Sequence, residues 1–176
     1  MTRSELEHII RAAGDIARDR EIVIFGSQAI LGEYPDAAPE LLASMEADVF
    51  PLNHPERADK IEGAIGEFSR FHDEFGYYAQ GVSPSTATLP RGWRKRLVRI
   101  KNENTGGIAG LCLEVHDLAM SKYVAGREKD LAFTRVLVRE QLVDKDKLLQ
   151  RLAVTAVTPE VRKLVQGRIE RDFRLG

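Results

Sequence analysis

The chain has 176 residues, 43% of them apolar and 30% charged, with a formal net charge of −1. That suits one globular domain, or one with a helical appendage, and a near-neutral chain has no global field to recruit nucleic acid or an anionic membrane. A single cysteine, Cys112, excludes an intrachain disulfide and a cysteine-based zinc site, and no run resembles a signal peptide or a membrane span, so a cytoplasmic, reduced protein without a membrane role is expected.

Residues 2–19 predict a helix: Thr2 and Glu5 have capping-box spacing, and Leu6, Ile9, Ile10, Ala13 and Ala17 form an apolar stripe. "EIVIF" (21–25) predicts a buried strand, "SQAILGEY" a following helix, and "MEADVFPL" (45–52) a second strand. Pro55 opens a helix predicted to reach Phe71. "RLVRIKNENTGGIAGLCLEV" (96–115) predicts a hairpin turning at Asn104 and Gly106–Gly107. Everything from Asp117 onward is expected to be helical, one helix running through 116–133 and the last starting at Thr158-Pro159. The order is that of an α+β domain closed by helices, divided as a domain over 1–135 and a C-terminal helical extension over 136–176.

Three stretches carry chemistry. Gly26 permits a sharp turn at the strand end, Ser27 adds a hydroxyl, and the next helix would aim free N–H groups at one spot; this is either an anion site or a plain capped turn. Glu46 and Asp48 are two apart in a strand and share a face. Side by side they repel, which suits a hard divalent cation between them or, alternatively, a solvated face. In "HDLAMSKYVAGREKDLAF" (116–133) a single helix would put Lys122 and Lys129 on one face, with Gly126 leaving the surface open and Leu118, Ala125 and Ala132 on a buried face. With Arg127 the lysines suit a triphosphate; the other reading is a solvated face balanced by Glu128 and Asp130.

In this order, Gly26-Ser27, Glu46-Ala47-Asp48, Asp117-Leu118-Ala119-Met120-Ser121-Lys122 and Arg127-Glu128-Lys129-Asp130 resemble the motifs of the nucleotidyltransferase-fold (polymerase-β-like) superfamily, and within it the small prokaryotic AbiEii-like branch. The resemblance spans roughly residues 20–135. It implies a mixed sheet flanked by helices, with Gly26 and Ser27 at the nucleotide phosphates, Glu46 and Asp48 as catalytic carboxylates binding Mg²⁺ or Mn²⁺, and Lys122, Arg127 and Lys129 on the nucleotide. The implied activity moves a nucleotidyl group from an NTP to a hydroxyl of RNA, protein or a small molecule, with a toxin-like role and an antitoxin-like protein partner as further implications. Active members also carry a third carboxylate on a later strand, for which the candidates are Glu114 and Glu103. Without it, the alternative is a catalytically silent protein that binds nucleotide or a partner.

The remaining candidates have plain explanations. His8, His54, His72 and His116 lack ligand spacing, and His54 is expected to cap the Pro55 helix. Trp93 is expected to anchor the entry to the hairpin, and Cys112 to be buried. The basic run "RGWRKRLVRIK" (91–101), taken as a strand, is either a charged sheet edge or a track for an RNA backbone.

Overall fold

In the computed structural model, which describes residues 1–175, the first helix (α1, Arg3–Ala17) begins as its sequence dictates. Thr2 and Glu5 cap each other reciprocally, and the stripe from Leu6 to Ala17 is buried. Five strands follow: β1 (Glu21–Phe25), β2 (Glu46–Pro51), β3 (Tyr78–Gly81), β4 (Val98–Ile100) and β5 (Ala109–Cys112). They form one mixed sheet in the order β3-β2-β1-β5-β4. β1 runs parallel to β5 and antiparallel to β2, β2 is parallel to β3, and β4 with β5 makes the expected antiparallel hairpin.

The two faces of the sheet differ in kind. Ile22, Ile24 and Gly110 share one, and α1 lies so close over it that a Cβ at Gly110 would fall 2.3 Å from Cδ1 of Ile10. Register puts Val23, Phe25, Asp48 and Phe50 on the other, where the Phe25 and Phe50 rings meet edge to face at 5.1 Å. This second face carries the acidic pair.

Two predicted helices are each broken in two. The segment after Pro55 forms a 3₁₀ turn (Pro55–Arg57), then α2 (Ala58–Ile65), then α3 (Arg70–Phe75). Gly66 is extended, Phe68 is left-handed at φ 61°, and Ser69 starts α3 by accepting from the His72 N–H at 3.2 Å. His54 makes no side-chain cap.

The stretch 116–133 divides into α4 (Val115–Ala125) and α5 (Glu128–Arg139) at Gly126, where φ is 66°. The cause lies on α7 (Pro159–Leu175), whose Arg168 donates to the Tyr123 carbonyl at 2.6 Å and lies where a Gly126 Cβ would stand. Asp172 of α7 also accepts from the Tyr123 and Thr134 hydroxyls, tying α4 and α5 together below the break. Ala125 and Ala132 are exposed rather than buried: Ala125 is the last residue of α4, and Ala132 lies on α5, beyond the break from Leu118. α6 (Lys145–Ala153) packs on α4 and α7, and α7 opens with Thr158 accepting from the Val161 N–H.

Candidate functional site

β1 ends at Gly26, whose φ of 64° turns the chain over Asp48, the register partner of Phe25. A Cβ at Gly26 would lie 2.0 Å from Asp48 Oδ2, so only glycine leaves that carboxylate room. The expected helix after it is a six-residue 3₁₀ turn (Ser27–Gly32), which weakens the case for an anion held by backbone N–H groups alone. The side chains around the turn are better placed. Lys122 of α4 is buried, and its Nζ donates to Ser27 Oγ at 3.3 Å and pairs with Asp130 Oδ1 at 3.1 Å. Arg127, at the break between the helices, grips the other side of Asp130 with Nε to Oδ2 at 2.6 Å.

Gly26, Asp48, Lys122, Arg127 and Asp130 line one cavity of about 200 Å³, together with Phe25, Thr86 and Thr88. Ser27 and Lys129 open instead onto a neighbouring groove of about 510 Å³ walled by Leu41, Ser44 and Phe133. Lys122 lines the first space and reaches Ser27 of the second, and both Lys122 and Lys129 act electrostatically on Asp48. The two lysines therefore converge across a helix break, not along one helix face.

The two carboxylates of β2 differ in their surroundings. Glu46 accepts from the Tyr78 hydroxyl at 3.1 Å, its register neighbour on β3. Asp48 is more enclosed: burial, and then the Glu46 carboxyl beside it, push its pKa up to about 7 against the pull of Lys122 and Lys129. Among the described residues neither joins an ion pair, since the cations of the cavity are held by Asp130. Glu46 and Asp48, the latter kept clear by Gly26, offer hard oxygen donors that, once ionised, could hold a divalent ion completed by water and phosphate oxygens.

The third carboxylate is not among them. Glu114 caps α4, bonding the Asp117 N–H and His116 Nδ1, with Arg151 at 3.9 Å; burial tends to raise its pKa, but the bonds from His116 outweigh that. Glu103 lies exposed in the hairpin turn. Among the described residues no three histidine, cysteine or acidic side chains converge as a metal-holding group.

The basic run is not a strand where it is most basic. Trp93–Arg96 form a 3₁₀ turn, so Arg94 and Arg96 do not alternate with Lys95 across a sheet. Arg96 is committed to Asp117, which is fully buried, by two bonds of 2.8 and 3.0 Å, and Arg99 lies 3.7 Å from Glu21. Trp93 packs edge to face on Phe25 at 5.5 Å, behind the cavity. Cys112 is buried, its thiol pushed up to about 12 by burial.

Four residues that line or support the site left little sign in the sequence. Asp130 is read as a counter-charge yet is the fully buried centre of the cation cluster, and the adjoining Lys129-Asp130 pair is its only signal. Tyr78 comes from a four-residue strand too short for its alternation to stand out. Thr86 and Thr88 lie in an irregular stretch with no motif.

No helix among the described residues is long and apolar enough to cross a membrane. No curated protein and no solved structure matches the chain. A family model does, over residues 4–168, from α1 well into α7, and the chain thus belongs to the family described as "Nucleotidyltransferase of unknown function (DUF6036)".

Proposed function

We propose that this protein moves a nucleotidyl group from an NTP to a hydroxyl acceptor with Mg²⁺ or Mn²⁺, using Glu46 and Asp48 as catalytic, metal-binding carboxylates and Gly26, Ser27, Lys122, Arg127 and Lys129 as the nucleotide-binding set. One observation carries the reading. Asp48, beside Glu46 on β2 and without a protein cation, faces across one cavity a lysine and an arginine fixed in place by a buried aspartate.

In the reaction the acceptor oxygen bonds to the α-phosphorus, the bond to the β-phosphate bridge breaks, pyrophosphate leaves and the hydroxyl loses its proton. A bound divalent ion would neutralise phosphate charge and lower the pKa of that hydroxyl. The chain's own part is positional. Asp130 fixes Lys122 Nζ, which in turn fixes Ser27 Oγ, so these donors meet phosphate without reorganising. Arg127, largely exposed and on the cavity wall, and Lys129, at the neighbouring groove, add charge where the outer phosphates and the leaving pyrophosphate lie in this reading. Asp48 takes up its role once ionised. The residues beyond 135, above all α7, act as a brace for the α4–α5 break.

Glu114 is engaged in capping α4, Glu103 is exposed in the hairpin turn, and no three acidic, histidine or cysteine side chains converge among the described residues, which supports a second reading, a protein that holds NTP without transferring it. The AbiEii-like branch, with its toxin role and antitoxin-like partner, rests on motif resemblance alone. Incubation with each α-labelled NTP, Mg²⁺ or Mn²⁺ and total RNA or lysate decides between the two main readings. Label transferred to RNA, protein or a small molecule supports the transferase, whereas NTP binding without transfer supports the silent protein.

A further inference from the structure

The site has a second side that none of these assignments uses. Beyond Glu46, on the edge strand β3, the ring of Tyr78 meets that of His72 at 4.7 Å, and His72 meets Phe68 at 6.5 Å. This row starts at the Tyr78 hydroxyl, 3.1 Å from Glu46 Oε2, and runs outward over the break between α2 and α3. Its outer member is unusual in two ways. Phe68 is 83% exposed, and it holds a left-handed backbone (φ 61°) that bulky residues rarely adopt. Its own N–H bonds His72 Nδ1 at 3.1 Å, fixing the two rings relative to each other. The neighbouring Phe71 and Phe75 pack instead into a separate cluster with His8 and Tyr77. Phe75 is itself 42% exposed but leans on that cluster, whereas Phe68 stands at the end of the ring row and does nothing for the core.

The electrostatics of this side are the reverse of the phosphate side. Glu46 lies 3.1 Å from the Tyr78 hydroxyl, and Glu46, Glu67 and Asp48 all act electrostatically on that ring. Residues 62–74 bring four carboxylates (Glu62, Glu67, Asp73, Glu74) against one arginine, Arg70. The site's cations belong to α4 and α5, whereas β3 packs on β2, α1, α2 and α3. Aromatic faces beside carboxylates attract cations and repel polyanions.

We propose that the Phe68–His72–Tyr78 row is the acceptor side of the site and takes a small hydroxyl-bearing organic cation, its charged nitrogen over the rings and beside Glu67, its hydroxyl directed toward Glu46 and Asp48. This deepens the transferase reading and rests on it for the word acceptor, but the cation site itself is testable alone. A polyanionic RNA is disfavoured here by the same carboxylates.

The probe is choline, titrated by ligand-observed NMR against its neutral isostere 3,3-dimethylbutan-1-ol and against a short oligo(A) RNA. Wild-type protein should bind choline at least fivefold more tightly than the isostere and should not bind the RNA at this row. Phe68→Ala, which removes an exposed ring and leaves the core intact, should weaken choline at least fivefold while leaving Mn²⁺ and ATP binding unchanged. Equal binding of the neutral isostere, displacement of choline by oligo(A), unchanged binding in Phe68→Ala, or no choline binding at all would each overturn the proposal. ATP titrated into the same samples separates the two ideas. ATP binding without choline binding removes the cation row only, whereas choline binding without ATP binding removes the nucleotide assignment and leaves the row standing.

Discussion

Two aspartates on the walls of one cavity have been given opposite environments. Asp130 is fully buried, yet Lys122 and Arg127 hold it from both sides. Burial would raise its pKa, but those bonds and charges outweigh the effect and keep it below the usual carboxylate range. Asp48 is also enclosed and has a carboxylate for its close neighbour, so burial and Glu46 move its pKa the other way. A buried charge with its partner in place belongs to the architecture; one that lacks a partner marks where something must still arrive. In the proposed transferase reading, Asp130 holds the cations of the site and Asp48 receives one.

The largest effect expected from this comparison is on activity. Asp48→Asn keeps the shape and removes the charge, and should cost the transfer reaction several kcal/mol, roughly a thousandfold in rate, measured as labelled nucleotide incorporated per minute. Residual activity near wild type would return Asp48 to a structural role. Next comes Lys122→Ala, which removes a charge-assisted contact to phosphate worth about 1.5–3 kcal/mol. ATP should bind about ten- to a hundredfold more weakly by calorimetry, and AMP should lose less because it lacks the outer phosphates. Equal losses for both nucleotides would place the lysine at the base or ribose end.

The comparison is sharpest in stability, where the two aspartates should respond with opposite sign. Asp130→Asn strips a buried lysine of its counter-charge and should destabilise by about 2–4 kcal/mol. Asp48→Asn, without metal, should stabilise at pH 8 and have little effect at pH 4. The sign follows from the raised pKa. The neutral form is favoured by the fold, so the cost of ionising it grows as pH rises from the ordinary aspartate value of about 4 and is complete above about 7. For Asp130 the depressed pKa means its contribution is present at neutral pH and lost on acidification. Thermal melts of both variants at pH 4, 6 and 8 test this, and a destabilised Asp48→Asn at pH 8 would break the contrast. The smallest effect belongs to the basic run: Arg94→Ser and Lys95→Ser should change stability by less than about 0.5 kcal/mol, whereas Arg96→Ser removes two bonds to buried Asp117, leaving it Arg151 alone, and should cost more. Equal effects at all three positions would restore the run as one functional surface.

What the sequence disclosed depended on how local the cause was. The Thr2–Glu5 cap, the apolar run that follows Glu21 in "EIVIF" and the Gly-rich hairpin are set by near neighbours, and each formed as expected. The alternation that put Glu46 and Asp48 on one face was legible for the same reason. The break at Gly126 was not, because what sits beneath it is Arg168, distant in sequence and close only after folding. The interruption at Gly66–Ser69 went unread since Pro55 and the spacing of Ile61 and Ile65 continue plausibly across it. Arg94 to Arg96 read as a strand because basic residues flank a real one, but the 3₁₀ turn is shaped by Trp93 against Phe25 and Arg96 against Asp117. The lysines line two different spaces across the broken helix, yet both act electrostatically on Asp48, so the sequence placed them near the acidic pair but not on one face.

The most direct test of the central claim is a Mn²⁺ titration by calorimetry of wild-type protein and Asp48→Asn, each at pH 8 and pH 5.5. If Asp48 waits for a cation, wild type should bind Mn²⁺ at pH 8 and about tenfold or more weakly at pH 5.5, where a proton competes for the same oxygen, and the folded variant should bind it at neither pH. Wild-type affinity retained in Asp48→Asn, with no dependence on pH, would contradict the account.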